Sequence, residues 1–425
     1  MSRHRKHKGQ ELRAMKRERI EAKQETLFEK VTSFESLYHA HTLCRRGKRH
    51  KEKVATFDLR AGSYTYIVRK SLLDKTWHVG GYHKFVLSER GKMRKISAAP
   101  YQARVVQRSL HENVMLPIVH KSFCKENSAS QKGKGPDFAR ALLKTQMESH
   151  FHKYGVKGGI LIGDIHNFFG SLNHDILEMM YEKLIDDKDV LWLIKKIHDS
   201  TGTMDSSGSK IGMALGNEVS QTDGVLVLSR FDHLVKERWH IPYYGRYMDD
   251  FYLIHPDIEY LRSLLDKLVD VMNRYGLTLN PTKTKVVPIT QGIKYLGFRF
   301  KMSDTGAVII TVLEKNVKRN TEKYKRLAKK LDNEEIDFET IYISFLCWMN
   351  HISFGNTYGL RQSRQKRFCE RFEKHIIEGI RKGYVSDPRK KKKETSPTIF
   401  PDDTEAFNRF KPYFDERSGI GAVVT

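Results

Sequence analysis

Apolar and polar positions change period several times along this chain, and each change marks an element. From Phe28 short apolar runs alternate with charge, and residues 64–69 and 83–87 read as short strands with a Gly80-Gly81 turn between them. After Pro100, the spacing of Val105, Val106, Ser109 and Leu110 predicts a helix with one apolar face. Residues 130–135 are small and basic, hence a loop. The run Gly158-Gly159-Ile160-Leu161-Ile162-Gly163-Asp164-Ile165 is apolar and bounded by glycine, as a buried strand is, and it carries a carboxylate at its end. Residues 175–185 and 190–198 place leucine and isoleucine at helical spacing. Residues 241–255 read as a hairpin, with Tyr244 and Tyr247 leading into Met248-Asp249 and an apolar run leading out. Strand, helices and hairpin together predict an α+β sheet domain. Past Thr305 the pattern turns helical: residues 315–331 form a basic amphipathic stretch, followed by helices over 338–352 and 362–380. There is no internal repeat.

Length and charge narrow the partners. A chain of 425 residues with 39% hydrophobic content can build two or three packed subdomains. Its 76 Lys plus Arg against 51 Asp plus Glu leave a net charge of +25, which favours a polyanion, with nucleic acid ahead of an anionic membrane. No apolar run approaches the roughly 18 residues of a membrane-spanning helix and no secretory signal is visible, so a cytoplasmic location and no membrane partner are expected. Cys44, Cys124, Cys347 and Cys369 are scattered, a pattern of free thiols rather than zinc ligands or disulfides. The first 24 residues are polar and basic, either a solubilising tail or an arm on RNA phosphates. Arg45, Arg46, Lys48 and Arg49 form a second basic cluster. Beyond Gly383, a proline-bounded basic run over 389–393 reads as a tail that orders on RNA or a partner.

Adjacent aspartates at a hairpin tip, Asp249 and Asp250, repel by about a kcal/mol or more unless cations neutralise them, and Arg246 is one candidate source of that charge. Alone, such a pair reads as a solvated turn. A third carboxylate, Asp164, at the end of a buried strand with Phe168 and Phe169 just beyond it, turns the reading toward a metal site. Two ions about 4 Å apart between such carboxylates activate a 3′-hydroxyl and stabilise a leaving pyrophosphate. Hard oxygen ligands suit Mg2+, with Mn2+ as a substitute.

The ordered set of motifs resembles reverse transcriptases. Asp164-Ile165-His166-Asn167-Phe168-Phe169 followed by Ser171-Leu172-Asn173-His174, and Tyr247-Met248-Asp249-Asp250, look like the first and third palm motifs. Leu215-Gly216-Asn217-Glu218-Val219-Ser220-Gln221 stands where the second belongs. Leu279-Asn280-Pro281 with Lys283-Thr284, and Tyr295-Leu296-Gly297-Phe298, resemble the motifs that close the palm and support the primer. Arg94 to Pro100, Arg104 to Gln107 and Lys132-Gly133-Lys134-Gly135 resemble the fingers motifs of bacterial enzymes.

The resemblance implies a right-hand polymerase fold: a basic helical N-terminal extension over 1–60, fingers over 61–155, palm over 156–305, helical thumb over 306–384 and a basic tail over 385–425. It implies Asp164 and Asp249 as principal ligands of two Mg2+ ions, joined by the backbone carbonyl of Ile165, with Asp250 supporting. Arg94 and Arg104 would grip the incoming dNTP. Lys283 would protonate the leaving pyrophosphate, or else be a surface lysine in a turn. Phe169 would exclude a 2′-hydroxyl, or else pack in the core. Leu215, Gly216 and Gln221 would line the nucleotide pocket, and Tyr295, Leu296 and Gly297 would support the primer. The implied partners are a noncoding template RNA, an RNA–DNA duplex tracked by the cationic thumb, and an accessory protein or a second copy of the chain.

Leu215 before the glycine and Ser220-Gln221 at the motif's end look like reverse transcriptases of diversity-generating retroelements, which copy a dedicated template RNA and mutate adenines. Thr222-Asp223-Gly224, His166 and Gly170 depart from the usual pattern and fit a relative recruited elsewhere, including the defence-associated enzymes that copy a neighbouring noncoding RNA during phage infection. The alternatives are a group II intron-type maturase, whose DNA-binding or endonuclease region is not visible here, and a catalytically idle RNA-binding scaffold.

Overall fold

The computed structural model describes residues 25–89 and 92–385; the arm of the first 24 residues and the basic run over 389–393 lie outside them. Compactness divides the chain into two units. One holds the residues through Ser122 together with Leu172–Val227, the other Phe123–Ser171 together with the residues from Leu228 onward. Among the described residues no helix is long and apolar enough to cross a membrane.

The first unit is mainly helical. Thr26 and Glu29 cap the Leu27–Thr32 helix reciprocally, the hydroxyl taking the Glu29 N–H and the carboxylate the Thr26 N–H. Ser33 caps the Phe34–Cys44 helix. Residues 64–69 are not a strand but the middle of the Ala61–Leu73 helix. The β-branched Thr65 and Val68 read as strand formers, yet with Ala61 and Leu72 they make a buried stripe at helical spacing, while Tyr66 and Ile67 are 58% and 57% exposed. Strands β1 (His83–Glu89) and β2 (Lys92–Ala98) pair antiparallel. The helix expected after Pro100 spans Tyr101–Leu110 and buries Val105, Val106, Ser109 and Leu110. Helices His174–Glu182, Lys188–Asp199 and Glu218–Leu226 complete the unit.

In the second unit, β3 (Gly159–Gly163), β4 (Tyr243–Tyr247), β5 (Asp250–His255) and β6 (Lys285–Pro288) form an antiparallel sheet in the order β4-β5-β3-β6. Ile160, Tyr252 and Ile254 share a core with Ala139, Leu143 and Met147 of the Pro136–Tyr154 helix. The Ile258–Arg274 helix, capped by Asp257, buries Leu261, Leu264, Leu268 and Met272 and packs on β3 and β6. Gly163 is required by close approach: a Cβ there would lie 2.0 Å from the Phe251 ring.

A second sheet of β7 (Ile293–Tyr295), β8 (Phe298–Met302) and β9 (Val308–Val312) follows, with Phe298, Phe300 and Met302 buried and Arg299 and Lys301 exposed. Three helices, Glu314–Asp332, Phe338–Ser353 and Tyr358–Lys382, gather around an aromatic core in which Phe345 and Phe368 stack at 3.9 Å. Their placement matches the helical stretches read from the sequence. The first of them buries only Tyr324; Lys315, Lys318, Lys325, Arg326, Lys329 and Lys330 face outward, while Lys323 turns to Ser344 of the next helix.

Candidate active site

Asp164 follows β3 directly and is 5% exposed. Its main chain is held from the side: its carbonyl accepts the Asn280 N–H at 2.7 Å and its N–H donates to Thr284 Oγ1 at 3.4 Å. Ile165 bridges to Leu279, and the His166 N–H donates to the Thr278 carbonyl. These bonds seat residues 278–284 against the strand end and bring Lys283 to the carboxylate, with Nζ 2.6 Å from Asp164 Oδ1.

Asp249 and Asp250 arrive on the β4–β5 hairpin. Tyr247 pairs with Asp250 across a two-residue turn whose first residue, Met248, has φ +55°. A positive φ at that position is shared by the mirror-image turns of hairpins, where glycine or asparagine is usual and a larger residue stores strain. Phe251 pairs with Gly163, so Asp250 lies beside the end of β3.

The carboxylates feel one another. Burial first, then the charges of Asp249 and Asp164, push the Asp250 carboxyl up to about 7, partly offset by Lys283. Burial lowers Lys283, but its bond to Asp164 and the charges of Asp164, Asp250 and Asp249 leave it above the ordinary lysine value. Among the described residues, no group of three or more His, Cys, Asp or Glu side chains converges closely enough to hold an ion as it stands. The donor chemistry still fits a hard divalent cation. Three carboxylates crowd one lysine, and the repulsion that raises the Asp250 carboxyl is a load that a cation would relieve.

Arg246, a candidate from the sequence for the neutralising charge, spends two of its nitrogens on a carboxylate outside the pair. It is fully buried and bound to Asp232, with Nε and Nη2 each 2.6 Å from a carboxylate oxygen. Lys283 is a cation that touches the Asp cluster directly. Asp232 has no sequence signal, because its helix, Ser229–His233, carries no motif.

Phe168 is buried, whereas Phe169 is half-buried and meets it edge-on at 5.3 Å. Phe168 is thus the more deeply packed of the two rings. Tyr295 is a core residue stacked edge-on against Tyr252, and it underpins the Leu296-Gly297 turn, where both residues have positive φ. The Leu296 carbonyl accepts a bond from Arg140, and the Gly297 carbonyl accepts one from Asn316.

Arg94, Arg104, Leu215, Gly216 and Gln221 all belong to the first unit. The Ser97 N–H donates to the Leu215 carbonyl at 3.2 Å, tying β2 to the loop before the Glu218–Leu226 helix. Arg108 pairs with Glu218, so the helix bearing Arg104 is tied to the same segment. Gly216 has φ +117°, which disfavours any side chain. The departure at Thr222-Asp223-Gly224 is buried. Asp223 accepts the Tyr181 hydroxyl at 2.6 Å and lies 3.4 Å from His198.

Distant structural likenesses include three telomerase structures. The telomerase of Candida albicans in complex with a TWJ fragment of telomeric RNA has TM-score 0.41 at 13% identity, covering 58% of this chain and 50% of that one. Apo telomerase of Candida tropicalis truncated from its C-terminal domain has TM-score 0.40 at 14% identity, covering 55% of each chain. The apo enzyme of the same organism has TM-score 0.37 at 14% identity, covering 54% of this chain and 48% of that one. The chain thus spans about half the length of these telomerases. No curated protein matches. Residues 82–300, just over half of the chain, match the family described as reverse transcriptase (RNA-dependent DNA polymerase). They span the strand-end aspartate, the hairpin pair and Lys283, and the chain belongs to the reverse transcriptase family, with its right-hand polymerase fold.

Proposed function

We propose that this chain is an RNA-directed DNA polymerase that copies a noncoding RNA into DNA by two-metal nucleotidyl transfer. The observation that carries the reading is the meeting of Asp164, Asp250 and Lys283 where β3 ends and β5 begins, with the Asp250 carboxyl raised by its neighbours' charge. Asp164 and Asp249, the Ile165 carbonyl and, in support, Asp250 are the residues that would hold Mg2+ or Mn2+. When bound, such ions activate a primer 3′-hydroxyl and stabilise the leaving pyrophosphate. Lys283, whose contact with Asp164 favours its protonated form, gives its proton to the leaving group in this reading. Arg94 and Arg104 bind triphosphate oxygens, Phe169 closes the space a 2′-hydroxyl would take, and Leu215, Gly216 and Gln221 border the base pair. Tyr295 supports the Leu296-Gly297 turn on which the primer rests. The outward cations of the Glu314–Asp332 helix track the duplex backbone.

Anti-phage defence and a diversity-generating retroelement both use such an enzyme, and an accessory protein or a second copy fits either. RNA-templated primer extension tests the reading. It expects DNA product with dNTPs, dependent on a divalent cation. RNA binding with no product under Mg2+ or Mn2+ would make the chain a scaffold.

A further inference from the structure

The hairpin that carries the aspartates is gripped from beneath by a group outside the reaction. Arg246 places Nε and Nη2 on Asp232, and its Nη1 donates to the Met248 carbonyl at 3.0 Å. Asp232 also accepts the Tyr244 hydroxyl. All three side chains are buried. Main-chain bonds fix Arg246 too: its N–H donates to the Glu126 carbonyl at 3.1 Å, and its own carbonyl accepts the Ser128 N–H at 2.8 Å. Lys134 in turn donates to the carbonyls of Lys125 and Asn127, so the small basic loop braces the segment that braces Arg246.

The carbonyl of Met248 and the N–H of Asp249 share one planar peptide unit. A donor fixed on that carbonyl therefore fixes the plane from which Asp249 departs. Met248 needs such a hold, because a left-handed conformation in a residue with a side chain persists only where its surroundings over-determine it. The guanidinium suits the task. Its planar fork binds a carboxylate with two nitrogens and still aims a third in a set direction, which a lysine ammonium does not do. A buried ion pair is weak evidence for stability, since apolar residues of similar volume often serve a fold as well. A geometric duty accounts for it better.

We propose that the buried Arg246–Asp232 pair positions the metal-binding turn by holding the Met248 carbonyl, and so sets where Asp249 points. Arg246 and Asp232 are positioning residues and touch no substrate. The inference rests on the metal-dependent reading of the aspartates.

The test removes the three side chains together with Arg246→Met, Asp232→Leu and Tyr244→Phe, so that neither charge of the pair stays buried without the other. The expected triple variant melts within a few degrees of the parent and binds an RNA–primer duplex equally. Its kcat for dNTP addition falls at least tenfold, and half-saturating Mg2+ rises. Parental kcat and parental Mg2+ dependence in that folded variant would overturn the proposal. Should the triple variant not fold, Arg246→Lys decides, because it keeps the buried charge and loses the fork. A folded Arg246→Lys with lowered kcat, raised Mg2+ requirement and unchanged KM for dNTP supports the proposal, and parental values for all three overturn it. Mn2+ affinity measured by titration calorimetry separates the two readings. If the parent does not polymerise at all, the functional reading fails, and equal Mn2+ affinities in parent and variant would then overturn the positioning role as well.

Discussion

Asp250→Asn in the metal-free protein should make folding less sensitive to pH. The Asp250 carboxyl is pushed up to about 7 by burial and by its two neighbours, against about 3.9 for an unfolded aspartate. The folded state thus prefers the protonated form. Its contribution to stability is fully present below about pH 3.9 and is lost as pH rises through about 7. The gap between those values, at ~1.4 kcal/mol per pH unit, sets a ceiling of ~4 kcal/mol. Asp250 is only half-buried and Lys283 opposes the repulsion, so solvent screening brings the expected loss to about 2 kcal/mol. Asparagine imitates the protonated form at every pH. Thermal melts of both proteins in EDTA should therefore coincide near pH 4 and separate by pH 8, with the variant several degrees higher. Mg2+ at pH 8 should raise the parent's melting temperature more than the variant's. A separation that does not change with pH, or a variant less stable than the parent at pH 8, would refute the repulsion on which the site is built.

Three further outcomes follow from the same site. Phe169→Ala should raise ribonucleotide incorporation by a discrimination change of ~1 to 3 kcal/mol, and unchanged dNTP-over-rNTP selectivity in the folded variant would return Phe169 to packing alone. Leu215→Gln should lower misincorporation, because a restored neutral hydrogen bond contributes about 0.5 to 1.5 kcal/mol to holding a correct pair. Deep sequencing of the DNA reads the effect opposite template adenines, and equal, low error rates in both enzymes would remove the mutagenic reading and favour defence. Replacing the five basic residues at 389–393 with Ser should weaken RNA binding and flatten its salt dependence; an unaltered slope would leave them no phosphate contacts.

The palm is legible in the sequence wherever a short period coincides with a chemical oddity. A glycine-bounded apolar run ending in Asp164 and an Asp-Asp pair between two apolar runs describe β3 and the β4–β5 hairpin, and the structure has both. The helices after Thr305 follow from their amphipathic spacing. Residues 64–69 mislead because Tyr66 and Ile67 are apolar yet solvent-facing, so composition suggests a strand while burial follows a helix. Arg246 shows a different limit. Nearness in sequence to Asp249 draws attention to it, but no local pattern records that strand alternation carries its side chain into the core, onto Asp232. Lys283 reaches Asp164 across 119 positions of sequence, through backbone pairing that no local pattern records.

The most direct test of the account is primer extension on an RNA template by the parent and by a variant with Asp249→Ala and Asp250→Ala, alongside RNA binding by both. The hairpin aspartates face the cluster and do not build the core, so the variant should fold, bind RNA within about twofold of the parent and make no DNA at any Mg2+ or Mn2+ concentration. DNA synthesis at the parental rate by the folded double variant would contradict the two-metal reading outright.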